Sequence, residues 1–132
     1  MDYESFINSV TRMDFVENTK EADALIKGVF GILASELDEV HARVLTENLP
    51  EPLTFEKLRG RQRYPLMITF EQYLETLSAE FGISRQEAET AVNSLFAMML
   101  EAADSAAFSS IKESLPEDWA SAMEGIYAQQ GG

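Results

Sequence analysis

The chain has 132 residues, 45% of them hydrophobic, and its 23 acidic and 10 basic residues give a formal net charge of −13 at pH 7. This length and apolar content predict one compact domain with a packed core rather than a disordered acidic segment. The absence of cysteine excludes disulfides, thiolate catalysis and cysteine-based metal sites. No basic region followed by an apolar run opens the chain, and no apolar stretch is long enough to cross a bilayer, so we expect a cytoplasmic protein.

Two amphipathic helices are predicted at the start of the chain. Tyr3, Phe6 and Val10 recur at intervals of three and four residues, which places them on one face of a first helix. A second helix is predicted to begin at Asn18, because asparagine is a favoured N-cap and Glu21 follows three residues later.

A third helix and a short fourth helix complete the first part of the chain. Asp38 is predicted to cap the third helix. Pro50 is predicted to end it, because proline lacks an N–H and disfavours helical geometry in the residue before it. A short helix is then expected around residues 53–58.

A basic connector follows, in residues 54–68. It carries four basic residues and one acid, a net charge of +3. By contrast, residues 1–53 carry eleven acids and four bases, or −7, and residues 69–132 carry eleven acids and two bases, or −9. The connector is therefore the electrostatic exception in an acidic chain.

The second part of the chain also predicts helices. Thr69 with Gln72 has the pattern of a capping box, and Ser84, with an acid three residues later, is predicted to begin the next helix. A further helix is expected between Asp104 and Pro116, and a short one around residues 119–127. No segment alternates polar and apolar residues over a useful length, so we predict no sheet.

The two parts resemble each other at an offset of 66 residues. EADALIKGVFGILASELD, at residues 21–38, aligns with EAETAVNSLFAMMLEAAD at residues 87–104. ENLPE, at residues 47–51, aligns with ESLPE at residues 113–117. Matches that keep their order over about fifty positions indicate a duplication.

The predicted fold is therefore all-α, a helical bundle built from two pseudo-symmetric repeats of three to four helices each. Repeat one spans residues 1–53, the basic connector residues 54–68 and repeat two residues 69–132. A repeat of about sixty residues would be marginally stable alone, so we expect both repeats to share one core in a single domain, residues 1–132.

Two glycines inside the second predicted helix indicate how the repeats pack. Gly28 and Gly31 each cost about 1 kcal/mol relative to alanine in a helix, and the aligned residues Ser94 and Ala97 are also small. We interpret them as a shallow patch where the two copies approach closely about a pseudo-twofold axis. The alternative is that the glycines only relieve crowding beside Phe30.

The motifs common to both parts resemble a known family. YESFI and FEQYL, the EA…F helix, the LPE helix end and the arginine-bearing connector are similar to the bacterial family catalogued as domain of unknown function 2267, in two tandem copies. The resemblance covers nearly the whole chain. It implies a helical protein, and it implies no established activity, cofactor or catalytic residue.

The sequence offers no constellation for catalysis or metal binding. His41 is the only histidine, and its spacing from Asp38 and Glu39 is poor for a metal site because Glu39 lies on another helix face. There is no nucleophile elbow and no glycine-rich phosphate loop. We therefore predict a protein that is not an enzyme, with no catalytic, cofactor-binding or metal-binding residue. Glutamates around the two Leu-Pro breaks leave a weak divalent-cation site as an alternative.

The candidate partner-contact residues all belong to the connector and are Lys57, Arg59, Arg61, Arg63 and Tyr64. The first interpretation is structural: the arginines bridge carboxylates of the two acidic repeats, because guanidinium can bind a carboxylate at two points. The second is that the connector docks an acidic partner protein. Nucleic acid is disfavoured, because a net charge of −13 repels phosphate.

The predicted function is protein–protein interaction, as a regulatory or assembly accessory that binds another protein, with a homo-oligomer left open. The alternative is a small-molecule or divalent-cation binding module that uses the groove between the repeats. A deep apolar cavity near Phe30 and Met99 would favour ligand binding. A closed core with an exposed apolar or basic patch would favour protein docking.

Overall fold

The computed structural model describes residues 2–60 and 65–131, and within them the chain is helical and has no strand. The predicted all-α class is therefore confirmed. The helices are α1 (Tyr3–Thr11), α2 (Thr19–Glu36), α3 (Glu39–Glu47), α4 (Phe55–Leu58), α5 (Phe70–Phe81), α6 (Arg85–Ala102), α7 (Ser105–Ser114) and α8 (Glu117–Gly131). The last helix is longer than the predicted region at residues 119–127.

Polar side chains begin these helices, and they include the caps predicted at Asn18, Asp38, Thr69 and Ser84. Each N-cap side chain of α1 to α7 accepts a hydrogen bond from the backbone N–H three residues later; the caps are Asp2, Asn18, Asp38, Thr54, Thr69, Ser84 and Asp104. Thr69 and Ser84 form complete capping boxes with the side chains of Gln72 and Glu87. These bonds satisfy N–H groups that have no partner inside a helix.

A chain of aromatic rings runs through the core. The ring of Phe30 lies 5.5 Å from that of Phe6 and 6.4 Å from that of Phe96. Tyr73 continues the chain, 6.4 Å from Phe96 and 4.5 Å from Trp119. All five side chains are fully buried. The rings therefore connect helices α1, α2, α5, α6 and α8 in one apolar cluster.

Helices from both ends of the chain contact each other throughout the bundle. Helix α1 packs against α2 and α6, and α5 packs against α6 and α2. Helix α3 lies against α7, α4 lies against α2, and α8 lies against α6. Helix α2 is therefore central, with α5 along one side and the connector at its carboxyl end.

The two glycines of α2 face different neighbours. A Cβ on Gly28 would lie 2.8 Å from the ring of Phe81, and one on Gly31 would lie 3.6 Å from the carbonyl oxygen of Leu58. Gly28 thus allows a close approach to α5, whereas Gly31 faces α4. Ser94, the predicted counterpart of Gly28, instead shares a 3.3 Å hydrogen bond with Ser9 of α1. The atoms nearest to the two glycines therefore belong to α5 and α4 rather than to α6.

Candidate functional site

The connector begins with α4, which is a single helical turn. The hydroxyl of Thr54 accepts a hydrogen bond from the N–H of Lys57 at 3.3 Å, and Gly60 follows in the left-handed region with a φ of 63°. Glycine adopts that conformation without steric cost, so the chain can turn there. Helix α4 packs on α2, which fixes the first part of the connector against the bundle.

Lys57 and Arg59 have opposite environments. Lys57 is exposed, whereas Arg59 is only 5% exposed. In the described part of the chain, the three guanidinium nitrogens of Arg59 have no hydrogen-bond partner. Its Cζ lies 5.9 Å from the ring centre of Phe55, and Cζ of Arg43 lies over the same ring at 4.0 Å. The ring of Phe55 thus lies just within the distance at which a cation attracts an aromatic face.

The carboxylate bridges predicted for the connector do not involve these two residues. Among residues 2–60 and 65–131, neither Lys57 nor Arg59 forms an ion pair. The other candidate contact residues, Arg61, Arg63 and Tyr64, lie outside the described residues. The interpretation that the connector bridges carboxylates of the two repeats therefore has no support from Lys57 or Arg59.

The exit of the connector is attached to two helices by hydrogen bonds. The N–H of Leu66 donates to the carbonyl of Ser35 at 3.0 Å, and the N–H of Ile68 donates to Oε2 of Glu36 at 3.3 Å. From the other side, Nε1–H of Trp119 donates to the carbonyl of Ile68 at 2.9 Å. This short segment therefore joins the end of α2 to the beginning of α8.

The attached segment presents two apolar side chains to solvent. Leu66 is 46% exposed and Met67 is 80% exposed. Met67 also has a φ of 62°, a left-handed conformation that costs a non-glycine residue about 1–2 kcal/mol. Hydrogen bonds of both neighbours, Leu66 and Ile68, fix the backbone on either side of Met67, and its side chain lies mostly in solvent. Strained, exposed residues of this kind concentrate at functional sites.

Glu36 is the buried acid that holds the segment. It is 3% exposed, and within the described residues its Oε1 has no hydrogen-bond partner. Burial raises the pKa of Glu36; the hydrogen bond from the Ile68 N–H opposes this rise, the nearby charge of Asp118 adds to it, and a bond from the Met67 N–H opposes it. The burial of this carboxylate is unfavourable, but its hydrogen bond to Ile68 attaches the end of the connector to α2.

A groove of about 200 Å³ lies near the other end of α2. Its apolar walls are formed by Phe15, Leu25, Phe81 and Ile83. Glu21 and Glu80 also line it, and both are exposed. We call this feature the acidic groove; it lies between α2 and the turn that joins α5 to α6.

The histidine grouping considered from the sequence is a helix cap. The carboxylate of Asp38 accepts the backbone N–H of His41 at 2.9 Å, and the ring Nδ1 of His41 lies 2.7 Å away. These bonds lower the pKa of Asp38. Over residues 2–60 and 65–131, no three His, Asp or Glu side chains are close enough together to hold a metal ion.

No helix in those two ranges is both long and apolar enough to span a membrane.

The comparison with protein families identifies the chain. The family described as "Uncharacterized conserved protein (DUF2267)" matches residues 3–122. The chain belongs to the DUF2267 family. No curated protein and no solved structure matches it. This match confirms the family named from the sequence, whereas the bacterial origin and the two tandem copies stay predictions. The function must be argued from the surface of the molecule.

Two features of this DUF2267 protein were missed by sequence reasoning. The left-handed Met67 had no local signal, because methionine is not a residue that typically adopts positive φ. The apolar run Leu-Met-Ile directly after Pro65, outside any helix, was the available hint of an exposed segment. The acidic groove could not be predicted, because Phe15 and Phe81 are far apart in the sequence and meet only in the folded bundle.

Proposed function

We propose that the protein is a non-enzymatic accessory that binds another protein through a connector surface consisting of Lys57, Leu66 and Met67. The observation that carries this proposal is Met67, whose apolar side chain is 80% exposed on a backbone held in the left-handed region. Methionine is enriched in protein interfaces, where a few buried anchor residues supply most of the binding energy.

The partner's surface is expected to be acidic around an apolar pocket. Residues 54–68 carry +3 in a chain whose other two parts carry −7 and −9, so this is the part of the sequence that attracts an anionic surface. The buried guanidinium of Arg59, which has no hydrogen-bond partner among residues 2–60 and 65–131, adds a second argument. Leaving such a donor unsatisfied costs about 1–3 kcal/mol, and a partner carboxylate that reached it would remove that cost.

The packing of the core favours protein docking over a ligand cavity inside the bundle. Phe30, Phe96 and Met99, which would line such a cavity, are fully buried in the apolar cluster.

The second candidate function is a small-molecule or divalent-cation module in the groove between the predicted repeats, and the acidic groove is the observation that favours it. At about 200 Å³, however, that groove is smaller than the roughly 300–1,000 Å³ of typical ligand sites.

We also infer that the chain arose by duplication of one helical unit, and we expect it to work in the bacterial cytoplasm. The offset of 66 residues in the sequence supports the duplication. The positions of the helix caps support it as well. At that offset the N-cap Asn18 aligns with the N-cap Ser84, and the N-cap Asp38 aligns with the N-cap Asp104.

Affinity capture from a native bacterial lysate tests the connector surface. The test variant combines Leu66→Ser with Met67→Asn, which removes both apolar side chains; asparagine tolerates positive φ, so the backbone is retained. The matched control is Val40→Ser, because Val40 is 68% exposed at the start of α3, outside the connector. Thermal melts should first show that all three proteins are folded.

We expect wild type and the Val40→Ser variant to capture the same protein, and the connector variant to lose it. Lys57→Glu should weaken capture as well, and added salt should reduce binding because the exposed charges are screened. Equal capture by all variants, or equal loss with Val40→Ser, would show that the connector surface is not the binding site.

A further inference from the structure

The acidic groove has the size of a single side chain. An apolar cavity of about 150 Å³ holds a benzene ring, so a groove of about 200 Å³ accommodates one aromatic or aliphatic group. The ring of Phe81 forms one wall and rests directly on the backbone of α2 at Gly28, where a Cβ would lie 2.8 Å away. The ring of Phe15 contributes a second aromatic surface. The groove therefore depends on a glycine that is otherwise unfavourable in a helix.

The edge of the groove carries negative charge that the described part of the chain does not neutralise. Glu80 forms neither an ion pair nor a hydrogen bond there. Glu21 uses Oε2 to accept the backbone N–H of Glu17 at 2.9 Å. Two of the bases of α2 and α6 are already engaged, since Lys27 pairs with Asp23 and Arg85 pairs with Glu71 and Glu89. The described lining contains no basic side chain.

We propose that the acidic groove binds a basic peptide segment of a partner protein. One apolar side chain of the peptide enters between Phe15 and Phe81, and an adjacent lysine or arginine meets Glu21 and Glu80. The aromatic walls suit this occupant, because a cation over a ring face gains further attraction. The net charge of −13 on each molecule opposes the approach of a second copy of the chain, which favours a separate basic partner as the occupant.

This site is independent of the connector surface. The groove lies near the amino-terminal end of α2, whereas the connector contacts the carboxyl-terminal end at Ser35 and Glu36. The two surfaces also select opposite partner charges. Variants in the groove therefore test this inference without changing the surface on which the proposed function rests.

The experiment uses three short synthetic peptides with blocked ends as probes. Lys-Phe-Lys carries both required features, Lys-Ala-Lys carries the charge alone, and Glu-Phe-Glu carries the apolar group with the opposite charge. Each is titrated into the isotope-labelled full chain while backbone amide chemical shifts are recorded. We expect Lys-Phe-Lys to bind most tightly and to shift the amides of Phe15, Leu25, Phe81 and Ile83.

Matched variants separate the site from general charge attraction. Glu21→Gln with Glu80→Gln removes both edge charges, while glutamine can still accept the Glu17 N–H. Glu4→Gln with Glu75→Gln is the control, since both residues are exposed outside the groove and the change in net charge is the same. We expect Lys-Phe-Lys to bind the groove variant about tenfold more weakly than wild type, because two partly exposed ion pairs are lost. The control variant should bind this peptide as tightly as wild type does.

Three results would overturn the inference. The first is equal weakening by the two glutamine pairs, which would assign the binding to net charge alone. The second is equal affinity for Lys-Phe-Lys and Lys-Ala-Lys. The third is tighter binding of the small cation 2-phenylethylammonium than of the peptide, with the same amides shifted, which would assign the groove to a small organic cation.

Discussion

Glu36 has two opposite effects: its buried carboxylate destabilises the fold, and its hydrogen bond to Ile68 holds the segment that carries Met67. A buried carboxylate is destabilising unless its oxygens are bonded, and Oε1 of Glu36 has no partner in the described residues. The other oxygen accepts the Ile68 N–H and so helps to hold Met67 in its left-handed conformation. An apolar residue at this position would remove the buried charge, but it would also release the segment that displays Met67.

Glu36→Gln is expected to raise the free energy of unfolding at pH 7 by up to about 1 kcal/mol, because it removes the buried charge and keeps an acceptor for the Ile68 N–H. Burial raises the folded-state pKa of Glu36 above its ordinary value of 4.5, so the folded state binds the proton more readily than the unfolded state. Wild-type Glu36 therefore becomes less destabilising as the pH falls from 7 through this raised pKa. Urea titrations at several pH values between 7 and 4.5 should show the advantage of the variant shrinking; an advantage that does not change with pH would contradict the prediction.

At the scale of the helices, local signals and tertiary contacts contribute differently. The starts of α2, α3, α5 and α6 follow from caps that act within three residues, and the ends of α3 and α7 precede Pro50 and Pro116. These boundaries could be predicted because the interactions responsible are adjacent in the sequence. The neighbour of Gly28 could not be predicted in this way, because the contact is with a ring more than fifty residues away.

The contact between Gly28 and Phe81 predicts a coupling between two substitutions. Gly28→Ala should stabilise α2 by about 1 kcal/mol in a Phe81→Ala background, through helix propensity. In the wild-type background that gain should be offset, because the new methyl group would lie 2.8 Å from the ring and must displace it. A double-mutant cycle measured by chemical denaturation gives the interaction free energy.

Gly125→Ala provides the control for this cycle. Gly125 lies in α8, and a Cβ built there would meet nothing within 4 Å. This substitution should therefore give a similar gain in stability whether or not Phe81 is present. Additive effects of Gly28→Ala and Phe81→Ala would show that the ring adjusts freely and that the close contact does not constrain the groove.

At the scale of the whole molecule, the core joins the two predicted repeats. The ring of Phe30, from the first, lies against that of Phe96, from the second, and the hydroxyl of Tyr73 donates to the carbonyl of Val29 at 2.8 Å. Each predicted repeat thus covers apolar and polar groups of the other. This arrangement agrees with the expectation that about sixty residues would be marginal alone.

The shared core predicts a single cooperative unfolding transition. Trp119 is the only tryptophan and is fully buried against Tyr73, so its fluorescence reports α8 and α5, whereas circular dichroism reports all helices. The two signals should give coincident urea transitions. A peptide of residues 1–53 should be largely unfolded, with the intact chain as its control. A stable helical fragment, or separate transitions for the two signals, would indicate two independent units.

The helical class, most helix boundaries and the location of the positive charge could be predicted from the sequence. Spacing, capping and proline effects act between residues that are close in the chain, and net charge is a sum over composition. The family resemblance rested on the same short motifs. The duplication stays a prediction from the offset in the sequence.

Tertiary packing sets which of the connector's described residues are exposed and where the acidic groove forms. Arg59 is buried although the sequence placed it among the contact candidates, and Met67 is exposed although it lies in an apolar run. Burial depends on which distant helices pack together, so the same side chain can be covered or displayed without any change in its neighbours along the chain. The acidic groove has the same origin, since its walls come from segments that meet only when α2 and α5 pack.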